Sequence, residues 1–427
     1  MFPKKELAQL VISACNQFNI DTVVISPGSR NAPLTIGFSN HPNIETLSVV
    51  DERCAAFFAM GIAQQKQKPV VIVCSSGSAL LNYYPAIAEA FYSNIPLVVI
   101  SADRPKHLID IGDGQTIRQE NVFKNHILFS ANLIDEEGEL ENNSGLLIQA
   151  LETSVFKKGP VHINVPFDEP LYETISNLKS FDFPNVALSQ NVKLQNDYPE
   201  LISKWKSSTK KMMLVGRNFP DIELQNILSK LVKDESVLVL TETTSNLYHP
   251  KFVNSIDKLI FPLVESEFLD LQPEVLITLG GMVISKKIKQ FLRKYQPAEH
   301  WHIDELKAMN TYHCLSVHIK EKPIHCLNTL LTVNGEISDK EDKVYQNKWL
   351  TKNKSRAIKH IEYLENTVYS DLKVFEAILK SVPDASQVQI SNSSTIRYSQ
   401  LFNLNPTLKV FCNRGTSGID GSTSTAI

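Results

Sequence analysis

Residues 69–105 read PVVIVCSSGSALLNYYPAIAEAFYSNIPLVVISADRP, and the fold follows from how that stretch divides. The runs VVIVC and PLVVIS are short, rich in β-branched residues and bounded by turn formers, which predicts strands. Between them, ALLNYYPAIAEAFY has the length and apolar spacing of a helix. Strand, helix and strand in that order predict a βαβ unit, and hence a parallel sheet with helices on its faces.

The same alternation extends both ways, through DTVVIS (21–26) and CAAFFAMGIAQQ (54–65) upstream and PVHINVPF (160–167) downstream. In such α/β sheets the loops at the carboxyl ends of strands hold the ligands. SPGSR (26–30), VDER (50–53), SSGS (75–78) and SADRP (101–105) all fall at such ends.

Residues 170–200 lose the pattern and read as a linker. A second α/β series follows, with KMMLVGRN, SVLVLTET, PEVLITLGG and EHWHIDE as strands and IELQNILSKLVKD and SKKIKQFLRKYQ as amphipathic helices. The polar stretch 334–356 suggests another boundary. Beyond about residue 365, a helix-like SDLKVFEAILKSV and the stretches 387–402 and 408–427 begin a third unit too small to bury a core alone. The expected domains are 1–180, 181–360 and 361–427, the last incomplete. No short repeat or low-complexity tract interrupts them.

A chain of 427 residues exceeds what one core usually supports, and a hydrophobic fraction of 43% with 21% charged residues is that of a folded globular protein. A net charge of −3 leaves no basic footprint for nucleic acid, and no segment is long and apolar enough to span a bilayer. The N-terminal MFPKKELAQLVISACNQF has helical spacing and an early Glu6, unlike a signal peptide. Six cysteines without a CxxC point to reduced thiols and a cytoplasmic location.

Lysines outnumber arginines by 34 to nine, so each arginine marks a place where lysine fails. Arg30, Arg104, Arg118, Arg397 and Arg414 sit in loop motifs. A guanidinium grips a carboxylate or phosphate through two parallel hydrogen bonds, which suggests a polyanionic small ligand. The competing reading is that they pin loops against acids such as Asp103, Asp113 and Glu120.

Glu52 lies between an apolar run and an apolar helix, so its carboxylate is expected to be partly buried at the sheet's carboxyl edge. Burial raises a carboxylate's pKa and equips it for proton exchange near neutral pH. An acid favoured by the helix dipole is the plainer reading, and Asp51 or Glu52 would serve it equally.

VISPGSRNAPLT, VVDERCAAFFAMGIA, VIVCSSGSALLNYYPAIAEA, VISADRPKHLIDIGDGQTIRQ, GPVHINVPFDEPLY and CNRGTSGIDGSTSTA occur in one order along the chain. With them the sequence resembles the 2-succinyl-5-enolpyruvyl-6-hydroxy-3-cyclohexene-1-carboxylate synthase family of thiamine-diphosphate enzymes in menaquinone biosynthesis. The resemblance implies an α/β, three-domain architecture with parallel doubly wound sheets, here with a truncated third domain. It implies cofactor sites between subunits, and so a homodimer or homotetramer. It also implies decarboxylation of 2-oxoglutarate and addition of the succinyl carbanion equivalent to isochorismate, with thiamine diphosphate and Mg²⁺ as cofactors.

Glu52 matches the family's catalytic glutamate, which bonds the aminopyrimidine ring and so helps remove the thiazolium C2 proton. Ser29, Arg30, Arg104, Gln115, Lys286, Lys287, Ser393 and Arg397 match substrate-site residues for two dicarboxylates. Gly77 matches the pyrimidine loop, and Arg414 and Ile419 lie near the cofactor. The family often has Lys-Arg where this chain has Lys286-Lys287, which puts bidentate binding at the second position in question. The alternatives are an acetolactate-synthase-like carboligase, whose small apolar substrates need fewer arginines, and a truncated non-catalytic binding protein.

No metal ligands are assigned, because the family's Gly-Asp-Gly and Asn motif is expected beyond residue 427. Gly112-Asp113-Gly114 with Asn142-Asn143 imitates that motif, but EEGELENNSG is acidic and polar where a strand should precede the Asn. The group His300, His302, His313, Cys314, His318, His325 and Cys326 lacks zinc-finger spacing and reads as core and surface residues.

Overall fold

The computed structural model describes residues 1–183, 198–334 and 344–427. The chain forms two compact units, Met1–Asn191 with Asn413–Ile427, and Val192–Cys412.

In the first unit β1 (Phe2–Pro3) precedes a parallel sheet of β2 (Thr22–Ile25), β3 (Glu45–Ser48), β4 (Val70–Cys74), β5 (Leu97–Asp103), β6 (Phe129–Asn132) and β7 (Val161–Pro166). The sheet order is β3-β2-β4-β5-β7-β6, and every pairing in it is parallel. Side chains alternate across a strand, so both faces of a central strand must be apolar when helices cover both. Val71 and Val73 of β4 enter one core with the helices Glu6–Gln17 and Leu140–Lys157; Val70, Ile72 and Cys74 enter another with Glu52–Lys66 and Tyr84–Ser93.

The helix expected over ALLNYYPAIAEAFY divides: residues 77–83 wind as a 3₁₀ helix and the α-helix begins at Tyr84. Pro85 explains the break, since proline is tolerated in the first turn and not in the interior. The stretch 170–200 differs from its linker reading, and residues 184–197 lie outside the described part. Before them β8 (Thr174–Ile175) pairs antiparallel with β1, and Leu178, Phe181 and Phe183 pack on the first core. Three apolar residues in a polar stretch suffice to attach it.

The second unit's parallel sheet holds β9 (Lys211–Val215), β10 (Val237–Leu240), β11 (Phe252–Val253), β12 (Val275–Leu279), β13 (Glu299–Ile303) and β14 (Val317–Ile319) in the order β11-β10-β9-β12-β13-β14. Its faces alternate in the same way: Met213 and Val215 of β9 face one core, Met212 and Leu214 the other. Part of the polar stretch expected at a boundary is the helix Tyr345–Asn366, whose Tyr345, Trp349 and Leu350 enter this unit's core. A small parallel pair, β15 (Gln387–Gln389) with β16 (Lys409–Phe411), completes the unit.

Among the described residues no helix is long and apolar enough to cross a membrane.

Candidate functional site

In the first sheet β2 and β4 are neighbours, yet the chain visits β3 between them. The helix after β2, Ala32–Ser39, packs on one face and the helix after β4, Tyr84–Ser93, on the other. Connections leaving adjacent strands in opposite directions open a crevice at the carboxyl ends, where ligands of α/β sheets bind.

Three loops meet there. Ser26 N donates to the Val73 carbonyl at 2.8 Å and Ser26 Oγ donates to the Val49 carbonyl at 2.9 Å, tying the loops after β2, β3 and β4 together. A Cβ added to Gly28 would lie 2.5 Å from Ser75 Cβ, so only glycine permits this approach. Gly77 has φ +81° and lies against the Gln115 backbone, where a Cβ would sit 3.1 Å from the Gln115 carbonyl oxygen. Gln115 itself is exposed and also left-handed, at φ 54°.

Glu52 opens the helix Glu52–Lys66 and is half-buried, as expected from the sequence. The structure separates it from Asp51. Asp51 Oδ1 caps the helix by accepting from Arg53 N at 2.9 Å, and the Arg53 guanidinium holds Asp51 down at about 2. The capping role is therefore filled without Glu52, whose carboxylate accepts no hydrogen bond among the described residues. Burial, and after it the charge of Glu52, push the Cys74 thiol at the end of β4 up.

Arg30 is 5% exposed; its Nη1 donates to the Phe167 carbonyl at 2.8 Å, and its Nη2 lies 3.3 Å from Glu169. Burial, followed by the positive charge of Arg104, lowers its pKa, so two guanidinium groups are held near each other. Arg104 reaches Asp113 at 3.8 Å, while its buried Nε has no partner among the described residues. Ser29 is exposed in the same loop as Arg30. Arg118 belongs to the competing reading: it is exposed and bonds Asp110 at 2.7 Å, which pins its own loop.

Arg414 and Ile419 lie in the segment 413–427, which folds with the first unit. The carboxylate of Glu89 accepts from Gly415 N at 2.6 Å and from Thr416 N at 2.7 Å, and Thr425 of the last helix packs where Gly61 leaves room. Arg414 is 9% exposed and Ile419 74% exposed.

In the second unit Lys286 and Lys287 are exposed in the first turn of the helix Lys286–Lys294. Cations there oppose the helix dipole, and Lys287 Nζ lies over the Phe261 ring, 4.9 Å from its centroid. The turn is held by Glu242, which accepts from Ile284 N at 2.6 Å and Ser285 N at 2.7 Å. Ser393 is exposed with φ 67° and ψ −127°, a strained conformation for a residue with a side chain. Arg397, expected in a loop, lies on the short helix Ser394–Ser399 and is exposed.

Residues 5–127 match the family described as thiamine pyrophosphate enzyme, N-terminal TPP binding domain. The chain is 54% identical over 433 residues to the 2-succinyl-5-enolpyruvyl-6-hydroxy-3-cyclohexene-1-carboxylate synthase of Flavobacterium johnsoniae, covering 100% of this chain and 76% of that protein. It is 53% identical to the enzyme of the same name from Flavobacterium psychrophilum, with the same coverage of 100% and 76%. The enzyme so named from Bacteroides thetaiotaomicron is 37% identical over 99% of this chain and 75% of its own length. The chain belongs to the 2-succinyl-5-enolpyruvyl-6-hydroxy-3-cyclohexene-1-carboxylate synthase family.

The residues of this synthase-family chain fit thiamine diphosphate on two observations. Glu52 presents an uncommitted carboxylate in the crevice, and next to Gly77 the Ser76 hydroxyl is buried with no partner among the described residues. The imitated metal motif is accounted for otherwise. Asn143 Nδ2 donates to the Ile134 carbonyl and its Oδ1 accepts from Ile134 N, which fixes a turn. In the histidine group, Thr278 Oγ1 bonds both His300 and His302, at 2.9 and 2.8 Å, inside the core.

Three residues of the first unit's crevice escaped the sequence reading: Glu89, Gln119 and Asn164, all buried. Glu89, a lone acid within the apolar AIAEAFY, had a visible signal. Gln119 and Asn164 bond backbone or side chains distant in sequence, and no local pattern marks them.

Proposed function

We propose that the protein decarboxylates 2-oxoglutarate with thiamine diphosphate and transfers the remaining succinyl unit to isochorismate, giving 2-succinyl-5-enolpyruvyl-6-hydroxy-3-cyclohexene-1-carboxylate for menaquinone. The observation that carries this reading is the gathering of uncapped Glu52, Gly77 and the paired arginines Arg30 and Arg104 around one crevice, in a member of this synthase family. The bound cofactor supplies the electron sink that a 2-oxo acid lacks.

Glu52 holds and returns a proton at the cofactor's pyrimidine ring. The Ser76–Gly77 turn supports that ring with its backbone. Arg30 and Arg104, with Ser29 and Gln115, bind substrate carboxylates, and the buried Nε of Arg104 gains the acceptor it lacks. In the second unit Lys286, Lys287, Ser393 and Arg397 are assigned to substrate carboxylates, and in the first Arg414 and Ile419 to the cofactor's surroundings. Two dicarboxylic substrates explain this number of cations better than the small apolar substrates of an acetolactate-synthase-like enzyme.

Mg²⁺ held with the diphosphate by hard oxygen ligands completes the proposed cofactor set. Among the described residues no group of three or more His, Cys, Asp or Glu side chains is placed to hold a metal ion, so no residue is assigned to it. A homodimer or homotetramer in the cytoplasm is proposed on the family's cofactor sites between subunits and on the free, mostly buried cysteines.

The test is release of carbon dioxide from 2-oxoglutarate by the gene product, with thiamine diphosphate and Mg²⁺ supplied. Release that requires isochorismate supports the reading; pyruvate consumption without isochorismate replaces it with the carboligase. Lys287→Ala is expected to raise the isochorismate KM about tenfold, the loss of one charge-assisted contact. An unchanged KM removes Lys287 from the substrate site.

A further inference from the structure

The loops of the crevice are joined from below by a buried chain of amides. Gln119, with no exposed surface, accepts at Oε1 from Gly77 N at 2.7 Å. Its Nε2 donates to the Ala102 carbonyl at 3.1 Å and to Asn164 Oδ1 at 2.9 Å. Asn164 Nδ2 donates to Asp103 Oδ2 at 2.8 Å, and Asp103 Oδ1 accepts from Arg104 N at 2.8 Å. The path runs from the Gly77 turn to the backbone of Arg104.

Each bond in the path has one possible direction. Rotating the Gln119 amide would set its NH₂ against the Gly77 N–H and its oxygen against the Ala102 carbonyl and Asn164 Oδ1. Ser101 Oγ donates to Asn164 Oδ1 at 2.8 Å, so it accepts from His162 Nε2 at 2.7 Å, and burial keeps that imidazole neutral. Asn164 Oδ1 thus receives two donors and cannot rotate either. A buried network satisfied in a single direction has one geometry, and removing a member leaves its neighbours unpaired in a low dielectric.

We propose that Gln119 and Asn164 are positioning residues, which set the Gly77 turn and the Arg104 backbone in fixed register so that cofactor and substrate groups meet. The assignment rests on the proposed function. It extends that reading to two side chains that touch neither cofactor nor substrate. Gln119 governs the cofactor side through Gly77 and the substrate side through Asn164 and Asp103.

The two sides are separable by mutation. Gln119→Met keeps the side chain's length and removes every polar contact. It is expected to raise half-saturating thiamine diphosphate and lower kcat/KM for 2-oxoglutarate, each by about 10- to 100-fold. Gln119→Glu keeps an acceptor for Gly77 N–H and loses both donors, so it should raise the 2-oxoglutarate KM and leave cofactor half-saturation unchanged. Asn143→Leu is the control, since Asn143 is an equally buried amide that fixes only the turn at Ile134. It should lower the melting temperature and leave both constants unchanged.

Hydrogen exchange followed by mass spectrometry on the same proteins needs no turnover. Gln119→Met should speed exchange in peptides covering residues 75–79 and 113–119, and Asn143→Leu should not. If both Gln119 variants lose melting temperature while the kinetic constants and the exchange of these peptides stay at parental values, Gln119 is structural only and the proposal is overturned. A parental protein that releases no carbon dioxide overturns the functional reading instead, and the exchange result still decides whether Gln119 holds the turn.

Discussion

The Glu52→Gln protein is expected to release carbon dioxide about 10²- to 10⁴-fold more slowly than the parent, the contribution of a positioned proton-transfer group. Its melting temperature should not change. The helix Glu52–Lys66 is capped by Asp51, whose Oδ1 accepts from Arg53 N at 2.9 Å, so the fold does not depend on the charge at the next position. Glutamine has the same shape, but it does not exchange a proton. Paired measurement of turnover and melting temperature separates the roles. Turnover within about tenfold of the parent, below that range, would take the proton-transfer role from Glu52. A matching fall in stability would return it to the helix terminus.

Gly216→Ala is expected to destabilise the second unit by more than about 3 kcal/mol, beyond the usual range for an overpacked core. Gly216 follows β9 at the point where β9 and β12 run side by side, and a Cβ added there would lie 1.9 Å from the Gly281 carbonyl oxygen. That neighbour is backbone, itself held because Gly281 N donates to the Arg217 carbonyl at 2.7 Å and Gly216 N donates to the Leu279 carbonyl at 3.0 Å. No flexible side chain can yield, so the strand ends must part. For a unit of this size the melting temperature should fall by roughly 6–12 °C. Gly145→Ala is the contrast, because no atom lies within 4 Å of its Cβ position and helix propensity alone should stabilise by about 1 kcal/mol. A thermal melt in which Gly216→Ala matches the parent would show that the two strand ends can separate without loss.

The arginines divide the two readings made of them. Arg30 is buried beside Glu169, with the Arg104 charge lowering its pKa, and Arg104 reaches Asp113 while its buried Nε has no partner among the described residues, whereas Arg118 is spent on Asp110 at the surface. Both kinds look alike in a loop motif. What separates them is burial and the neighbouring charges, which depend on strands far apart in the chain.

Local pattern alone determined the longer strands and many of the helices, that the two main sheets are parallel, and that SPGSR, VDER, SSGS and SADRP fall at strand ends. A strand covered on both faces must be apolar throughout, and its length and β-branched residues record this in VVIVC and KMMLV. The tertiary structure decided the strand order, the pairing of Phe2–Pro3 with Thr174–Ile175, the docking of Gly415 and Thr416 on Glu89, and the amide chain under the crevice. The physical reason is range. Periodicity reports which way a side chain faces its own layer, but which strands become neighbours depends on close approaches such as Gly28 to Ser75, and on buried donors and acceptors finding partners dozens or hundreds of residues away.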